Sequence, residues 1–171
     1  IRHLLTHTSG IGEFPNIKDM RREDFALWSD SPAIPPVSDL YPDGITVEAK
    51  PGSKWAYCNH GYNLLGEIVS RIEGAPCHEV VRRRIFESLG MKDSDLLDQP
   101  HPALSTGYHR EADEDLRELL ARVGRTPPEE RPVDGHNIRG RFRWVLDPPA
   151  GAAQSTIPDM GRYASALLRH G

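Results

Sequence analysis

Apolar residues recur at helical spacing in several stretches of the chain, separated by glycine, proline and short polar runs. Ile1-Arg2-His3-Leu4-Leu5-Thr6-His7 reads as the last turns of a helix, with Leu4 and Leu5 facing inward. Thr8-Ser9-Gly10 stops it, Gly10 supplying the left-handed residue that commonly closes a helix. The most periodic segment is His60 to Glu73. There Leu65, Ile68, Val69 and Ile72 stand at i, i+3, i+4 and i+7, which predicts one buried helical face. Gly74 ends that helix, and Pro76 opens another through Leu89, with Val81, Ile85 and Leu89 at steps of four and Glu79 facing Arg83. Gly90 ends the second. A final helix starts at Thr156 as cap, with Pro158 in its first turn and Asp159 completing a box-like start. Met160, Tyr163, Ala164, Leu167 and Leu168 are its expected inward face.

The stretches between are less regular. Lys18 to Trp28 reads as a weaker helix with Met20, Phe25 and Trp28 as apolar points. Pro32, Pro35, Pro36, Pro42 and Gly44 make 31–44 a loop, because proline removes donors and fixes φ. Ile45-Thr46-Val47 is a short β-like run, and Pro51-Gly52 a turn. Glu111 to Val123 reads as a short charged helix, Arg125 to Gly140 as loop, and Phe142 to Val145 as strand. The expected class is mainly α with a few short β-strands, without internal repeats.

Composition narrows the function. With 37% apolar residues at helical periods, the chain is not a disordered one. A net charge of −4 supplies no basic field for nucleic acid. No apolar run approaches the roughly 20 residues needed to span a bilayer. The length of 171 residues suits one domain or most of one. The opening at Ile1 in mid-helix and the close at Gly171 after a helix lead to the expectation of an internal excerpt.

Few residues offer chemistry. His3 and His7 are four apart, as zinc ligands on one helix face can be, but no Glu adjoins the first His and no Cys/His quartet spacing occurs. Local hydrogen bonding explains the eight histidines, and no metal or cofactor is assigned. Cys58 and Cys77 have no C-x-x-C context and read as small buried thiols. Glu111, Asp113, Glu114 and Asp115 read as a solvated face. There is no G-x-S-x-G elbow, phosphate-binding glycine loop or dinucleotide fingerprint. One constellation remains: Lys54-Trp55-Ala56-Tyr57-Cys58-Asn59 leaves the Pro-Gly turn and feeds the most periodic helix. Tyr57 and Asn59, two apart in an extended stretch, project to one side. Two readings stand: a helix N-cap at Asn59 beside a half-buried core tyrosine, or a catalytic pair.

Three stretches resemble the serine β-lactamases of class C type and the related D-Ala-D-Ala carboxypeptidases and esterases. Ile1 to Ile11, IRHLLTHTSGI, looks like the segment after the family's nucleophile helix. Pro51 to Ser94, with PGSKWAYCNHGYNLLGEIVSRIEG and IFESLGMKDS, looks like its Tyr-x-Asn motif and the two following helices. Pro149 to Leu168 looks like its later element of Gly, Ser-Thr, Asp and helix. The resemblance implies the helical subdomain, with flanking pieces, of the β-lactamase/penicillin-binding-protein-like α/β fold. It also implies hydrolysis of an amide or ester bond through a covalent serine ester, in a β-lactam, a peptidoglycan peptide or an ester. Tyr57 would then move the proton, and Asn59 would hydrogen-bond the substrate and the catalytic Lys. A free phenol has a pKa near about 10, so ionising it at neutral pH needs nearby cationic charge.

The sequence departs from the family in three respects. No serine has a lysine three residues on, no closing Lys-Thr-Gly or His-x-Gly motif occurs, and Gly151-Ala152 stands where relatives often carry two glycines. The expectation is therefore a partial domain over residues 1–171, inactive by itself, whose nucleophile lies outside it. A non-catalytic peptidoglycan- or partner-binding relative is the alternative. Family members are often periplasmic or secreted, which leaves the compartment open. Uncovered apolar faces at Leu4, Leu5 and Leu167 predict self-association or poor stability.

Overall fold

The structure, a computed structural model, describes residues 1–12, 28–29, 35–41, 44–97, 105, 108–110, 137–139, 144–145 and 148–170. Six helices stand among them: α1 (Arg2–Leu5), α2 (Val37–Leu40), α3 (Asn59–Glu73), α4 (Cys77–Val81), α5 (Pro148–Gly151) and α6 (Ile157–His170). Helix α4 continues as a π-helical turn over Arg82–Glu87. Four short strands form two antiparallel pairs. In one, β1 (Trp28–Ser29) meets β4 (Trp144–Val145). In the other, β2 (Tyr108–Arg110) meets β3 (Asn137–Arg139). Trp28 therefore belongs to a strand rather than to the end of a helix, while the expected strand at 142–145 is present over Trp144–Val145. The run Ile45-Thr46-Val47 contributes a single antiparallel bridge, Ile11 to Val47. The expected helix at 111–123 lies outside the described residues, as does the expected loop at 125–140 except for Asn137–Arg139, which is strand β3 and not loop.

Helix α3 is the hub, flanked by α1, α2, α4 and α5. Its C-terminal end follows the sequence, Gly74 at φ 65 closing it in the left-handed region, while at its start extended backbone at Cys58 leads in. Its buried face differs from the one the apolar period marks. The buried residues are His60, Gly61, Asn63 and Gly66, while Ile72 is 75% exposed. The reason is close approach and polar pairing rather than apolar mass. At Gly66 a Cβ would collide with the Pro149 ring, so the missing side chain is what lets α5 lie on α3. Asn63 Nδ2 donates to the Tyr41 hydroxyl at 3.0 Å, and that hydroxyl meets His60 Nδ1 at 2.7 Å. The Asn63 amide nitrogen, the Tyr41 phenol and the His60 imidazole thus bond in a row out of water, as buried polar groups generally do.

In the outer helices several apolar positions are uncovered, Leu5 and Leu167 as expected. Leu5 in α1 is exposed, as are Met160, Leu167 and Leu168 in α6, the last at 89%. In α4 and its π-turn the buried residue is Val80, and Arg83 and Arg84 reach back to Glu73 rather than to Glu79. What anchors α6 is polar. Thr156 caps it, accepting the Asp159 N–H at 3.4 Å, and the Asp159 side chain is fully buried.

Candidate active site

The segment after α1 runs antiparallel to 47–58 and frames Tyr57. Gly10 O accepts the N–H groups of Glu48 at 2.8 Å and Ala49 at 3.3 Å. Thr8 O accepts Gly52 N–H, and His7 O accepts Ala56 N–H, both at 2.8 Å. The left-handed residue that closes α1 is His7, at φ 54, and not Gly10. Gly10 also has a positive φ of 83, but for another reason: its α-carbon faces the Ala49 carbonyl, where no Cβ fits.

Tyr57 and Asn59 do reach one another. The Tyr57 hydroxyl donates to Asn59 Oδ1 at 2.8 Å. Asn59 is not the N-cap; Cys58 holds that position, without a side-chain cap bond. The amide oxygen that a cap would aim at helix N–H groups is directed at a phenol instead. Tyr57 is half exposed and Trp55 is 65% exposed, so this ledge is not core packing. Beneath it, Cys58 is fully buried and donates its thiol to Gly12 O at 3.3 Å.

Two further residues, His7 and Asp159, shape the structure in ways that local sequence does not show. The sequence reads His7 as a locally hydrogen-bonded helix-end histidine rather than a zinc ligand; in the structure its Nδ1 accepts the Cys58 N–H at 3.1 Å and its ring lies 4.7 Å from that of Tyr57. His3 turns to Thr8 Oγ1 at 2.9 Å, so the two histidines do not converge. Asp159 does more than start α6. Its Oδ2 accepts the Asp93 N–H and the Ser94 hydroxyl, each at 2.8 Å, and its Oδ1 accepts Arg162 at 2.7 Å. Asp95 pairs backbone to backbone with Gln154, and Ser94 meets Ser155 at 2.8 Å. These bonds lash the loop after the π-turn to the start of α6.

A cavity of about 240 Å³ lies between α2, α3, α4 and α5, lined in part by Leu40, Asn63, Gly66, Cys77 and Pro149. Tyr57 and Asn59 are not in its wall. Burial pushes the Cys77 thiol up, which keeps it protonated and a poor nucleophile.

The profile of the family described as Beta-lactamase matches residues 1–171. The chain belongs to the beta-lactamase family. Penicillin-binding protein 4 of Amycolatopsis lactamdurans is 32% identical over 178 residues, covering 100% of this chain and 38% of that protein. Penicillin-binding protein 4* of Bacillus subtilis (strain 168) is 33% identical over 98 residues, covering 55% of this chain and 20% of that protein. The crystal structure of D-amino acid amidase from Ochrobactrum anthropi SV3 complexed with D-phenylalanine shares the fold at a TM-score of 0.69 and 25% identity. That match covers 98% of this chain and 44% of the amidase. The chain thus spans less than half the length of each of these relatives. The beta-lactamase family is one of serine hydrolases that act on small-molecule or peptide substrates. No helix among the described residues is long and apolar enough to cross a membrane.

Asp159 gives the chain a pH signature. Burial pushes its carboxyl up, but the Ser94 hydroxyl, the Asp93 N–H and the Arg162 guanidinium outweigh that and hold it below the usual carboxylate range. A carboxyl whose pKa is lowered by folding stabilises the native state above its unfolded value near about 4. That stability is lost as pH falls through the lower, native value. Urea midpoints measured from neutral to acid pH should fall below about pH 4, and Asp159→Asn should be weaker at neutral pH with a flatter acid limb. Parallel curves for the two proteins would show that Asp159 does not carry the effect.

Proposed function

We propose that residues 1–171 form the mainly helical subdomain, with flanking pieces, of a longer β-lactamase-like serine hydrolase. The observation that carries this is the Tyr57–Asn59 hydrogen bond at the entrance to α3, in a chain matched throughout by the family profile. A serine hydroxyl attacks the carbonyl carbon of an amide or ester, its proton passes through Tyr57, and the amine or alcohol leaves. Water then cleaves the acyl-enzyme. The Asn59 amide orients the substrate and the catalytic lysine. The substrate is a β-lactam, a D-Ala-D-Ala peptide or an ester, in keeping with penicillin-binding proteins and an amidase among the relatives. No serine within the 171 residues has a lysine three positions on, so the nucleophile comes from outside them.

A fluorescent penicillin or an activated ester tests the assignment by trapping the acyl-enzyme. The longer protein should retain the label through denaturation, and the purified 171-residue chain should not. Label or turnover on the isolated chain would overturn the placement of the nucleophile. A longer protein that binds the probe reversibly and is never acylated would be a binding relative instead.

A further inference from the structure

We infer that His7 is a positioning residue for Tyr57, an inference that rests on the proton-transfer role proposed for that tyrosine. His7 holds the backbone on both sides of it. Its carbonyl oxygen accepts the Ala56 N–H at 2.8 Å, and its Nδ1 accepts the Cys58 N–H at 3.1 Å. In an extended stretch the N–H groups of residues 56 and 58 point to one side, so a single residue ties down both neighbours of Tyr57. The imidazole also lies against the phenol, with ring centroids 4.7 Å apart and planes tilted by 35°. Tyr62 supports the imidazole in turn at 5.3 Å, and the Tyr62 hydroxyl is itself anchored to Leu5 O at 3.2 Å.

The chemistry fixes which form of His7 does this. A backbone N–H can only donate, so Nδ1 must present its lone pair and the neutral ring carries its proton on Nε2. Among the described residues His7 is the one non-glycine with positive φ, a conformation that residues with a side chain adopt uncommonly. With both flanking N–H groups tied and one face of its ring covered, Tyr57 keeps its hydroxyl on Asn59.

Substitutions in the longer protein separate this role from simple packing. His7→Leu keeps bulk and loses the acceptor. His7→Asn offers Oδ1 near the place of Nδ1 and tolerates the left-handed backbone. His7→Leu should lower kcat about 10- to 100-fold with little change in KM, and His7→Asn should restore most of it. In a Tyr57→Phe background, His7→Leu should cost almost nothing more, because its effect runs through the tyrosine. Equal losses for Leu and Asn, or a full further loss in the Tyr57→Phe background, would overturn the inference. Nitrogen NMR of the unmutated protein gives an independent reading: the His7 Nε2–H tautomer supports it, and the Nδ1–H tautomer overturns it alone. Full activity of Tyr57→Phe would overturn the proton-transfer role, and the positioning role with it.

Discussion

Tyr57→Phe in the longer protein should reduce kcat/KM for acylation by about 10²- to 10⁴-fold, the usual contribution of a positioned proton-transfer group. The fold should be nearly indifferent to the change. Phenylalanine keeps the ring against His7 and gives up one half-exposed hydrogen bond to Asn59, a net loss of about 1 kcal/mol at most. A large fall in activity with an unmoved denaturant midpoint therefore identifies the hydroxyl as chemical rather than structural. Steady-state hydrolysis of an activated ester or a β-lactam, paired with urea unfolding, supplies both readouts. Unchanged turnover would remove Tyr57 from the mechanism. Asn59→Ala complements it, because Asn59 is not the N-cap of α3 and its loss is not confounded by the loss of a cap bond.

Gly10→Ala should be the most damaging change to the frame of the site. Two costs add at that position. Alanine at φ 83 is strained, and its Cβ would run into the Ala49 carbonyl oxygen, with the carbonyl carbon only 2.9 Å away. Together these amount to about 2–5 kcal/mol, from left-handed strain and a backbone clash that cannot rotate away. Gly74→Ala isolates the first cost, since Gly74 has φ 65 and open space around it. It should lose only about 1–2 kcal/mol. Urea midpoints of the two variants compare them directly, and equal losses would show that the approach of Ala49 contributes nothing. The damage should also reach activity, because Gly10 O receives Glu48 and Ala49 on the same ladder that places His7 beside Tyr57.

Helices α3 and α6 and their terminators were legible in the sequence because they depend on local chemistry. Gly74 closes α3 in the left-handed region, and Thr156 caps α6 through a bond to its own first turn. Which face each helix buries was not legible. The period through Leu65, Ile68, Val69 and Ile72 is real, yet α3 turns His60, Asn63 and Gly66 inward. That choice depends on Pro149, Tyr41 and Leu4, which are remote in sequence, and a periodicity cannot register them. The structural pairs Asp159–Ser94 and Asp95–Gln154 were illegible for the same reason.

At the site the division is similar. Residue types and a spacing of two marked Tyr57 and Asn59 as a pair on one side of an extended stretch, because side-chain alternation is a property of the local backbone. The motif order tied the chain to its family, since a linear series of short elements is preserved in a linear text. Tertiary structure alone took Asn59 off capping duty, gave its oxygen to the Tyr57 hydroxyl, and brought His7 across fifty residues to the Cys58 N–H. The physical reason is that a side chain's hydrogen-bond partner is settled by what folding leaves within about 3 Å of it. Composition and period fix where helices run; only the packed backbone fixes which donor meets which acceptor.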